Sequence, residues 1–151
     1  MKPMTNTRTR TLGKKELRKA FRELRIKDGL GDEDIGAEEF SYWYNKSRDG
    51  MAGNYLIYEV IDSEPTHRAD DCVIGREFFA QIDVFSVRSY ETKQLSEFIE
   101  KLENKLFEKG FEVEMRGEDY EPDARLYHQI FYVSKLFMCL DTRREQNGRN
   151  N

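Results

Sequence analysis

The chain has 151 residues, of which 38% are hydrophobic, 36% charged and 13% aromatic, with a net charge of −4. That length suits one domain with a single core. No apolar run approaches the ~20 residues that a membrane helix needs, and MKPMTNTRTR lacks the apolar stretch of a signal peptide, so the expectation is a soluble protein that stays in the cytosol where it is made. Cys72 and Cys139 have no CxxC partner and no histidine at ligand spacing, so both read as small buried apolar residues rather than as a disulfide or a metal site.

Charge is unevenly placed. Residues 1–27 hold ten Lys or Arg against two Glu, and residues 28–151 hold fifteen against twenty-seven acids. A basic start on an acidic body suits contact with nucleic acid, docking on an acidic neighbour, or simply a solvated basic helix face.

In chain order, residues 1–13 read as a flexible basic arm. Leu17, Ala20, Phe21 and Leu24 recur at helical spacing and predict a helix over 14–27, stopped near Gly29 and Gly31. Arg18, Arg22 and Arg25 follow at steps of three and four, which places them on one helix face as an electrostatic docking patch. Residues 28–53 are poorly legible; Ile35, Phe40 and Trp43 fit a short helix from Asp32, while Gly36 and the Tyr-Trp-Tyr run oppose it.

Residues 55–61 are almost wholly apolar or aromatic and predict a covered strand, broken by Ser63, Glu64 and Pro65. A second strand spans 72–87, with Cys72, Ile74, Phe78, Ala80, Ile82 and Val84 on one side. At ~3.3 Å per residue it would reach about 50 Å, so it bends near Gly75 or projects beyond the core. Leu95, Phe98, Ile99, Leu102 and Leu106 form a helical stripe, with Thr92 or Ser89 to cap it and Gly110 at its end. A strand with one wet side follows at 111–116, GEDYEPD reads as a loop, a long strand spans 126–140, and residues 141–151 read as a disordered tail. The expected domain is therefore 14–140, α+β and mainly antiparallel, with a long hairpin and helices packed on one face.

Catalytic chemistry has little to build on. No GxxxxGK[ST] or GxGxxG motif is present. His128 alternates within a strand, where packing or a hydrogen bond is its natural role. His67 lies near Asp70 and Asp71, with no Ser or Cys placed as a nucleophile, and neighbouring aspartates point to opposite sides of an extended segment. Asp62, Glu77 and Asp83 could be imagined around Mg²⁺, yet no Glu-x-Lys pattern completes the set. No enzyme activity, metal or cofactor is expected. Arg68, Asp70 and Asp71 remain as candidate contact residues at a solvated hairpin tip.

The order YLIYEVIDSEPTHRADDCVIGREFFAQIDVFS, then KGFEV, then YEPDARLYHQIFYVSKLF resembles the tail-terminator or tail-completion proteins of siphophages and prophages, which include head-tail joining proteins. The shared elements are Ile57-Tyr58, Ala69-Asp70, Ile82-Asp83-Val84 and Tyr127-His128, so the resemblance spans residues 55–137; EEFSYWYNKSRDG departs from it. It implies a small α+β sandwich, a structural role in the virion tail, and assembly as a ring, commonly a hexamer. The implied partners are further copies of the chain, the major tail tube protein and the head connector protein, with no membrane and no tight DNA binding. The rival expectation is a nucleic-acid-binding module that uses the basic helix, with Tyr42, Trp43, Tyr44 and Tyr90 to stack on bases.

Overall fold

A computed structural model describes residues 2–31, 39–51, 53–87, 92–123 and 125–139. The first helix, α1, spans Asn6–Glu23 and so begins well before the predicted residue 14. Thr5 caps it, its Oγ1 accepting from the Arg8 N–H at 3.1 Å. The early turns were hidden because the side of α1 that faces the sheet starts with small or polar residues, Thr9 and Gly13, before Leu17, Ala20 and Phe21. Gly13 is required there: a Cβ would lie 2.3 Å from the Phe78 ring. Met4, fully buried, gives its N–H to the Val73 carbonyl at 2.6 Å, and its own carbonyl accepts from Arg76 Nε. Most of the predicted flexible arm is thus helix or pinned strand partner.

The helix ends in a Schellman pattern. The Ile26 N–H reaches the Phe21 carbonyl and the Arg25 N–H reaches the Arg22 carbonyl, with Arg25 left-handed at φ 62°. Two short strands follow, β1 (Lys27–Asp28) and β2 (Phe40–Tyr44), paired in parallel. Phe40 and Trp43, read as helix residues from sequence, lie on β2 instead; residues 32–38, where that short helix was to begin, fall outside the described residues.

The centre of the molecule is the hairpin of β3 (Asn54–Ala69) and β4 (Cys72–Val87). Ser63, Glu64 and Pro65 do not break β3 as predicted; the strand continues to Ala69 with irregular register after Val60 and Pro65. The reason is positional. β2 covers β3 only from Asn54 to Tyr58, so beyond that β3 is an edge strand, where a proline without an N–H costs no ladder bond. The second helix, α2 (Thr92–Glu108), also ends in a Schellman pattern, with Gly110 at φ 86°. It leads into β5 (Glu112–Glu121) and β6 (Leu126–Met138). GEDYE therefore belongs to a strand, because it pairs with residues 126–130 across a bulge at Arg116.

The sheet has six strands in the order β1-β2-β3-β4-β6-β5. It is mixed: β2 runs parallel to both β1 and β3, and the other pairings are antiparallel. Alternation along the strands sorts the apolar residues into two clusters on opposite sides. Leu56, Tyr58, Phe78, Ala80, Ile82, Val84, Phe131 and Val133 pack with residues of both helices. Tyr55, Ile57, Phe85 and Leu126 form a smaller cluster with Trp43, Met51 and Val87. The predicted tail at 141–151 lies outside the described residues. No helix among the described residues is long and apolar enough to cross a membrane.

Candidate functional site

The hairpin tip is a two-residue turn. Ala69 pairs with Cys72, and Asp70 and Asp71 between them both take left-handed backbones, at φ 50° and 58°, the type I′ geometry that matches strand twist. Arg68, Asp70 and Asp71 are together and exposed there. The acids upstream of the tip are spread along a ladder rather than gathered in a loop: Asp62 lies opposite Phe79 and Glu64 opposite Glu77. Asp83 is six residues from Glu77 on the same strand, about 20 Å away at ~3.3 Å per residue, so the imagined Mg²⁺ set of Asp62, Glu77 and Asp83 does not converge. His67 Nδ1 meets its neighbour Thr66 Oγ1 at 2.8 Å in an exposed pair. Among the described residues no three His, Cys, Asp or Glu side chains are grouped as metal ligands.

The groups that do converge lie on the smaller cluster's side of the sheet, and the sequence did not announce them. Tyr55, Phe85 and His128 are cross-strand neighbours. The Phe85 ring stacks on Tyr55 at 4.8 Å and on His128 at 4.1 Å, and the Arg48 guanidinium covers it at 4.3 Å. Arg48 forms a two-pronged pair with Glu121 at 3.0 and 2.5 Å. That pairing holds the Glu121 carboxyl below its ordinary range and raises the Arg48 guanidinium. His128 stands between Asp83 and Glu121 at 3.5 and 3.6 Å, and its buried Nε2 has no hydrogen-bond partner among the described residues. Chemically this is an imidazole held between two carboxylates and stacked on an aromatic ring that an arginine covers. Its evident effect is to pin the link between β2 and β3 to the end of β5. Arg48 and Glu121 are 73 residues apart, and no local signal could have paired them.

The three candidate arginines of the first helix separate. Arg22 Nε donates to the Tyr42 hydroxyl at 3.0 Å. Arg18 bonds the Tyr58 hydroxyl, which burial nevertheless pushes up to about 12. Arg25 is not on the helix face at all, because α1 has ended and Arg25 occupies the left-handed position beyond it. Arg22 and Arg25 do meet around one open hollow of about 460 Å³, with Ile26, Lys27, Asp28 and Tyr42 in its wall.

A second hollow, about 310 Å³, opens between α2 and β5. Leu95, Ile99 and Tyr127 give it an apolar floor, and Glu100, Glu103, Glu118 and Asp119 surround it. Pairs of opposite sign close the inner side of α1: Lys109 Nζ, just beyond α2, meets Glu23 at 2.6 Å, and Lys135 Nζ, on β6, meets Glu16 at 2.5 Å. Glu16 and Glu23 are the two acids of residues 1–27. Both are used on that inner side, so the outer flank of α1 carries only cations. Comparison of the sequence with models of known protein families finds no match, and neither does comparison with curated proteins.

Proposed function

We propose that this chain is a structural subunit that caps a phage tail tube and joins tail to head, assembled as a ring in the virion tail after synthesis in the host cytoplasm. The observation that supports it best is the hairpin. Its acids alternate along a paired ladder and end in an exposed, charged two-residue turn, which is a surface for contact rather than a site where groups gather on a reactant. In this reading the fold is the tail-terminator arrangement, an antiparallel β core with helices on one side, to which β1 and β2 add a parallel margin. The acidic body, fifteen cations against twenty-seven anions over residues 28–151, repels DNA passing through such a ring. The partners are further copies, the major tail tube protein and the head connector protein.

Native mass spectrometry of the chain, alone and with tail tubes, tests the reading. Ring species are expected, and monomer alone in the presence of tubes would overturn it. The nucleic-acid-binding alternative has less support from the side chains it needs: Tyr42 is buried at 2% exposure, and Arg18 and Arg22 each bond a tyrosine hydroxyl. Tyr90 lies outside the described residues. Salt-sensitive binding to an oligonucleotide at ~50 mM salt, lost on neutralising the basic residues, would favour it.

A further inference from the structure

The two hollows lie on opposite margins of the molecule. One is at the β1 edge, where α1 packs, and the other is at the β5 edge, where α2 packs. Their charges are opposite. Arg22 and Arg25 are exposed at the first, beside Lys27. Glu100, Glu118 and Asp119 are exposed at the second, beside Glu103. Among the described residues, Arg25 and Lys27 have no ion-pair partner, and neither do Glu100, Glu103 and Glu118. Gln129 also lines the acidic groove, and its Oε1 is buried with no hydrogen-bond partner among the described residues.

The geometry points to the occupant of that groove: a second copy of this chain, whose Arg22, Arg25 and Lys27 seat among Glu100, Glu103, Glu118 and Asp119, with an arginine or lysine stem over Leu95 and Ile99. Long basic side chains suit such a groove because the stem covers apolar surface while the charged head stays among carboxylates. A basic margin that meets an acidic margin is a heterologous contact. Each copy then offers one donor margin and one acceptor margin, and repetition closes into a ring when the rotation permits. The strand edges themselves do not make this contact. β1 has only two residues, and the outer strand β5 carries Glu112, Glu114, Glu118 and Glu121 among its ten residues, charges that discourage edge-to-edge pairing. The inference rests on the ring reading and gives it a named contact.

Two variants of the full chain test it, Arg25→Glu with Lys27→Glu, and Glu103→Lys with Glu118→Lys. All four positions are at the surface, and circular dichroism checks folding. By native mass spectrometry at ~50 mM ionic strength, each variant alone is expected to lose ring species, with association weakened at least ~100-fold by like charges brought together. An equimolar mixture is expected to recover alternating rings, and one chain that carries all four changes is expected to recover rings by itself. In the wild type, rings are expected to dissociate as salt rises toward ~1 M, where the screening length falls to about 3 Å. Rings that persist in either variant, or a mixture that fails to recover them, would overturn this contact and leave the ring reading standing. Wild-type chain that stays monomeric with tail tubes present would remove both.

Discussion

Arg25 and Gly110 occupy the same position beyond the ends of α1 and α2, and both take the left-handed backbone, at φ 62° and 86°. Each end is closed by the same two hydrogen bonds, and each folds a buried residue back on the helix: Ile26 over Phe21, Phe111 over Leu106. Only the residue at the turn differs. Glycine adopts that backbone freely, whereas an L side chain there costs on the order of 1 kcal/mol. At α2 the choice follows the backbone. At α1 the chain bears the strain and gains a guanidinium at the margin of the basic hollow.

Removing the buried anchors breaks both ends. Phe21→Ala should cost about 3–5 kcal/mol and Leu106→Ala about 2–5 kcal/mol in urea denaturation. The first is expected to be the larger, because Phe21 also contacts the Tyr42 and Tyr58 rings at 5.4 and 5.3 Å. Equal losses would mean that those ring contacts add nothing.

Next come the turn residues themselves, with opposite signs at equivalent places. Gly110→Ala should lose about 1 kcal/mol, and Arg25→Gly should gain about 0.5–1 kcal/mol while weakening self-association. A loss of stability in Arg25→Gly would show that the guanidinium stabilises the monomer by more than its backbone strain costs. The hairpin tip repeats the test on a smaller scale. Asp71→Gly, at φ 58°, should gain about 0.5 kcal/mol, since type I′ turns favour glycine at that position.

The smallest effect concerns the pair that ties the two ends together. Lys109 holds the Glu23 carboxyl below its ordinary value of 4.5. A carboxyl depressed on folding stabilises the native state above the ordinary range, and that contribution is lost as pH falls through the lower folded value. Glu23→Gln should therefore lower stability slightly at neutral pH, leave it unmoved where the carboxyl is already protonated, and so flatten the acid limb of a stability-against-pH curve below about pH 4.5. A steeper acid limb in the variant would show that Lys109 does not hold the Glu23 carboxyl down.

Much of this was legible in the chain because it depends on neighbours in sequence. The stripe from Leu95 to Leu106 and the glycine beyond it define α2 and its end, and the alternation through Phe78, Ala80, Ile82 and Val84 defines the buried side of β4. A period of 3.6 or 2 is read from side chains a few positions apart, so no distant partner is needed.

What depended on distant partners was not legible. Thr9 and Gly13 look like parts of a loose arm until Phe78 is seen against Gly13. Pro65 looks like a strand end until β3 is seen to be an edge strand there. The Arg48–Glu121–His128 cluster draws on three separate stretches. Composition alone shows a basic start and an acidic remainder. Sheet order, and the ion pairs that use Glu16 and Glu23, decide that those charges emerge on opposite margins, because only packing determines which side of a helix is spent inside and which is left to face another molecule.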